Sequence, residues 1–158
     1  MGLDLILYKR VKPREEMSMD EKMANELAYG RKTWAIADFF TSRCEEVEPD
    51  NDYEFIVTKQ DWDEFMDSVS ELNDPAFRKM VEQYIEFDDN ADVYEVNDWA
   101  YLTYPKLEAW LDGALSNSGF YQLGLDWELE AVLRWFDADP QVQEAFEFDI
   151  EVRLIQSY

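Results

Sequence analysis

The fourteen residues EFDDNADVYEVNDW, Glu86 to Trp99, hold six carboxylates and no base. Three chemistries use carboxylates this densely: divalent-ion binding, hydrolysis by paired acids, and imitation of a phosphate chain. As a calcium loop the run begins well, because Asp88, Asn90 and Asp92 fall at positions 1, 3 and 5 of an EF-hand. It then fails: position 6 needs Gly and is Val93, and position 12 needs a bidentate Glu and is Trp99. The run predicts no metal site and no cofactor.

Catalysis by two carboxylates needs them about 5 to 10 Å apart across a cleft, one with a raised pKa. A two-metal nuclease needs acids clustered around ions ~4 Å apart. With 37 acids in the chain, some pair meets either spacing by chance. Lys79 and Lys106 are the only bases between residues 79 and 133, so little beside the run could grip a phosphoryl group. The absence of histidine removes imidazole ligands, the usual base near neutrality and any Ser-His-Asp or Cys-His arrangement. The lone Cys44 makes neither an intrachain disulfide nor a thiolate cluster, and reads as a half-buried thiol at a helix end. No catalytic residue is expected; a carboxylate-dependent hydrolase is the enzymatic alternative.

The charge itself carries more information. The net charge is −23 over 158 residues, and it is uneven. Residues 1–43 hold eight bases and seven acids, whereas residues 44–158 hold six bases and thirty acids. An acidic body behind a near-neutral segment repels nucleic acid and membrane surfaces and attracts basic proteins by long-range steering. B-DNA carries one charge per ~1.7 Å, and its binding proteins spend Lys and Arg on it. A folded surface of carboxylates competes for the same groove. The candidate partner-binding residues are Glu45, Glu46, Glu48, Asp50 and Asp52 in one loop, and Asp63 and Asp67, with Asp61 and Glu64, on a helix flank. Glu86, Asp88, Asp89, Asp92, Glu95 and Asp98 form the densest run. Asp137 and Asp139, with Asp126, Glu128 and Glu130, form another. The plain alternative is a solvated acidic face that serves solubility.

Elements must position these groups. DLILYKRV reads as a strand over residues 3–11. Ser18 and Glu21 form a capping box, and Met23, Leu27, Trp34 and Ala37 continue an apolar face, so a helix is expected from there to about Arg43. Arg31 and Lys32 then lie on its flank, paired with acids such as Glu26. YEFIVTK predicts a strand near 53–58, and Thr58 with Asp61 a second capping box. Helices follow over Trp62–Val69, from Pro75 to Ile85, from Pro105 in a first turn to Leu115, and over Trp127–Phe136. Asp139 and Pro140 repeat a cap-plus-proline signal. The alternation of Phe146, Phe148, Ile150, Val152 and Leu154 predicts a strand over 146–155. The expectation is a single acidic α+β domain, 1–158: a small antiparallel sheet decorated by several helices.

MGLDLILYKR, ELAYGRKTWAIADFF and YEFIVTKQDWDEFM together resemble a family of small phage-encoded proteins. Tyr29, Arg31, Lys32, Ile36, Phe39 and Phe40 match its Tyr-x-Arg-Lys helix, while Gly30 stands where an aromatic is expected. The resemblance covers about residues 1–70 and implies a phage origin without an assigned activity. Charge and resemblance together lead to an expected inhibitor of a host defence protein, a CRISPR effector or restriction enzyme, acting in the cytoplasm by nucleic-acid mimicry. It would bind no nucleic acid directly and no membrane. The alternative is a phage accessory or structural interaction protein whose acidity is incidental.

Overall fold

Side chains alternate across a strand, so one that is apolar on both faces must lie inside a sheet with both sides covered. Strand β1 (Asp4–Arg10) is of this kind: Leu5 and Leu7 point one way, Ile6 and Tyr8 the other, and all four are buried. The computed structural model describes residues 3–12, 16–47, 53–90, 98–115 and 124–157. In it β1 lies between β2 (Glu26–Arg31) and β5 (Glu151–Ser157), and β4 (Tyr53–Val57) and β3 (Glu45–Val47) complete the order β2-β1-β5-β4-β3. Every pairing is antiparallel. The fold is therefore mixed α+β, with a small five-stranded antiparallel sheet decorated by helices.

Helices α2 (Trp34–Thr41), α3 (Lys59–Ser68), α4 (Pro75–Asn90), α5 (Asp98–Leu115), α6 (Leu125–Asp137) and α7 (Asp139–Glu147) share one core with the Leu5 face of the sheet. At its centre Phe40, Trp62, Phe65 and Trp135 meet, with ring centroids 5.1 to 6.3 Å apart. Such pairs add about 0.5–1.5 kcal/mol each beyond area burial. The other face of the sheet carries a small second cluster of Ile6, Tyr8, Met17 and Ile155, beside Tyr29. The short helix α1 (Met19–Ala24) follows Met17 and contributes no buried residue. No described helix is long and apolar enough to cross a membrane.

Both capping boxes form. Ser18 Oγ accepts from the Glu21 amide at 3.2 Å and Thr58 Oγ1 from the Asp61 amide at 3.2 Å, and each carboxylate reaches back to its cap. The long helix expected after Ser18 does not form. α1 ends at Asn25, β2 follows, and α2 begins only at Trp34. The reason lies in β1, whose free edge offers Glu26–Arg31 a ladder of backbone bonds that outweighs the helical pattern of Leu27 and Trp34. Lys32, at φ 54°, turns the chain from strand to helix. Gly30 lets the two elements close. A Cβ there would sit 2.9 Å from Thr33 Oγ1 and 3.3 Å from the Ala131 Cβ of α6, so the aromatic expected at this position has no room.

Three other boundaries moved. α4 continues to Asn90, and α5 starts at Asp98, so Pro105 lies well inside α5 rather than in its first turn. The strand expected from Phe146 begins at Glu151. Phe146 belongs to α7, and Phe148 is 67% exposed. Alternating Phe and Glu also suits a final helical turn. Asp149, at φ 56°, closes that turn while the Ile150 amide bonds the Ala145 carbonyl at 2.8 Å.

Candidate protein-binding surface

The acids expected to face a partner have several different fates. Glu48, Asp50, Asp52, Asp92 and Glu95 lie outside the described residues. Asp88 and Asp89 end α4, and only their backbone is described. A calcium loop cannot start at Asp88, because residues 88–90 are helical. Among the described residues no group of three or more acids and cysteines is placed to hold a metal ion.

Four of these acids make bonds within the fold, as Glu82 and Glu64 also do. Asp137 is gripped by both terminal nitrogens of Arg78, at 2.7 and 2.6 Å, and Arg78 also holds Glu82 at 2.8 Å. Asp139 is not a helix cap: its Oδ1 accepts the indole N–H of buried Trp62 at 2.7 Å and the Gln143 amide at 3.1 Å. Asp63 takes Lys59 at 2.7 Å and Gln143 at 2.8 Å, and those bonds, Lys59 first, hold its carboxyl below the usual range. Asp61 is spent on its capping box and lies 3.5 Å from the Cys44 thiol. Burial, then the Asp61 charge, pushes that thiol up to about 12.

Glu128 departs furthest. It is fully buried, on the same stripe of α6 as Val132 and Trp135. Its Oε1 accepts the Ala35 amide at 3.0 Å and so caps α2 from a different helix, since the Thr33 side chain makes no capping bond. Burial pushes the carboxyl up to about 8; the bonds from the Ala35 and Trp34 amides oppose this, and the Asp38 charge adds to it. Glu128 Oε2 and Thr33 Oγ1 have no hydrogen-bond partner among the described residues. The signal was present in the sequence, because an acid three, four and seven residues before Ala131, Val132 and Trp135 lies on the apolar face.

The acids that remain exposed lie mostly on the helical side. Glu64, Asp67, Glu71, Asp74, Glu82 and Glu86 line α3, the 3₁₀ turn Ser70–Asn73 and α4. Over residues 59–90 there are ten acids and three bases. Glu144 and Glu147 on α7, and Asp98 and Asp112 on α5, are exposed too. Glu45 and Glu46 are exposed on the edge strand β3. Arg10, Lys22 and Arg153 gather on the far face of the sheet around Glu54, whose carboxylate takes the Tyr8 hydroxyl, Lys22 at 3.4 Å and Arg153 at 3.9 Å. Burial, then Glu54, pushes Tyr8 up to about 12. Sequence reasoning missed this cluster. A single Glu within the apolar strand YEFIV was its only mark.

Arg31 and Lys32 do not pair with Glu26. Both lie over the ring of Trp127 on α6, at 5.2 and 4.1 Å from its centroid. No family model, curated protein or solved structure matches this chain.

Proposed function

We propose that this chain is an inhibitor that occupies the basic groove of a nucleic-acid-binding protein, presenting the carboxylates of α3 and α4 in place of phosphates. The observation that carries the reading is the exposed row Glu64, Asp67, Glu71, Asp74, Glu82 and Glu86 on one continuous stretch of chain. Within the row Glu82 is paired with Arg78 and Glu64 lies 3.5 Å from Arg43, so its negative potential is partly offset at those two places. α4, at 16 residues, is about 24 Å long. A duplex of that length carries about 14 charges. α4 itself holds four acids, and residues 59–74 before it add six. A phage protein aimed at a host CRISPR effector or restriction enzyme is the setting that fits such a blockade.

Competition between the purified chain and a DNA duplex for such an enzyme tests the reading. Inhibition should weaken steeply as salt rises, because the paired charges are exposed and screened. The double reversal E82K/E86K should abolish it, while reversal of Glu26 on β2 should not. Loss of inhibition in neither variant, or no competition at low salt, sinks the proposal. A second reading rests on Tyr101 and Leu102, 74% and 63% exposed on α5. These suit an accessory protein that docks through apolar contact, and Y101A would then disrupt an association that tolerates salt.

A further inference from the structure

The cleft between β2 and α6 breaks the charge pattern of the molecule. It measures about 200 Å³ and is lined by Gly30, Arg31, Trp127, Glu130, Ala131 and Arg134. Arg134 is neutralised by Glu130 at 2.7 Å. Arg31 and Lys32 have no ion-pair partner among the described residues, although the chain holds 37 acids. The Trp127 ring holds both cations instead, by attraction to its face. Lys32 also adopts a left-handed backbone that is uncommon outside glycine, which sets the direction in which its side chain leaves.

We infer that this cleft binds a small phosphomonoester. Such a group carries about −1.5 to −2 charges at neutral pH, which matches two unpaired cations better than a carboxylate does. The planar fork of Arg31, which lines the cleft, suits two oxygens at once, and Lys32, which is not in the lining but lies over the same Trp127 ring, adds a point charge beside it. At about 200 Å³ the cleft is smaller than the roughly 300–1,000 Å³ of drug-sized sites. It therefore takes a phosphate and a few attached atoms. Gly30 keeps the cleft open, since any larger residue would press on Thr33 and Ala131. The site shares no residue with the acidic row on α3 and α4, so either assignment can fail without the other.

The test is a titration of the full chain with glycerol 3-phosphate at constant ionic strength, followed by NMR at the Trp127 indole N–H and the Gly30 amide. The expected result is a saturable shift at both, with inorganic phosphate giving the same pattern. R31A and K32Q should each bind at least tenfold more weakly, as expected for loss of a charge-assisted bond. R31K, which keeps the charge but not the fork, should lie between. K106A on α5 should bind as the parent does. Dispersed spectra for each variant establish that it is folded. A shift no different from that of sodium chloride, acetate binding as tightly as phosphate, or unchanged binding by R31A would overturn the assignment.

Discussion

Glu128→Gln isolates the cost of burying a carboxyl at the start of α2. The unfolded carboxyl loses its proton near the ordinary value of 4.5, whereas the folded one keeps it to about 8. Between those values the folded chain binds more protons than the unfolded chain, so stability falls as pH rises. Each pH unit costs about 1 to 1.5 kcal/mol, which reaches roughly 3 kcal/mol at pH 7 and roughly 5 kcal/mol above pH 8. Gln keeps the shape and still accepts the Ala35 amide, but has no proton to lose. Wild type and E128Q should therefore be of similar stability near pH 4.5, and the variant should gain steadily as pH rises, levelling off near pH 8. Urea unfolding followed by tryptophan fluorescence at several pH values measures the difference. Asp38, whose carboxyl burial also raises, contributes to the slope of both proteins and largely cancels. A difference that stays flat from pH 5 to 8 would show that Glu128 is not held protonated. A variant that loses ground as pH rises would show that the charged carboxylate is the preferred cap.

Two other outcomes follow from packing and burial. Gly30→Ala places a methyl 2.9 Å from Thr33 Oγ1 and 3.3 Å from Ala131, and should cost about 1–3 kcal/mol in urea unfolding, as overpacking does. Cys44, with its thiol pushed up to about 12, should react with a thiol reagent at pH 8 about 10³-fold more slowly in the folded chain than in denaturant. Rapid labelling of the folded protein would contradict the packing of Cys44 against Asp61.

Elements with a local signature were legible in the sequence. The capping boxes at Ser18 and Thr58 involve residues three apart and form as read. Pro75 starts α4, and Trp62, Phe65, Val81 and Tyr84 are buried as their spacing implied. What failed depended on distant chain. Glu26–Arg31 is a strand because β1 lies alongside it, a contact no window around Leu27 contains. The candidate surface shows the same division. Acidity was plain from composition, but the occupation of Asp137 by Arg78, 59 residues away, and of Asp139 by Trp62, 77 residues away, is tertiary information. Glu128 was counted with the exposed acids because its neighbours Asp126 and Glu130 are acidic, although its spacing to Val132 and Trp135 placed it inward.

The edge strand β3 has a consequence for how copies of the molecule meet. A sheet edge is a template on which another chain can add a strand. Here it is three residues long and displays two exposed glutamates, Glu45 and Glu46. Their charge makes two such edges repel each other, and the strand offers few bonds to an intruder. Acidification toward the isoelectric point near 4.1 removes the repulsion of the whole body. The charge that would recruit a basic partner is thus also what keeps the molecule dispersed, and strand-to-strand aggregation should set in on the acid side before the helical core gives way.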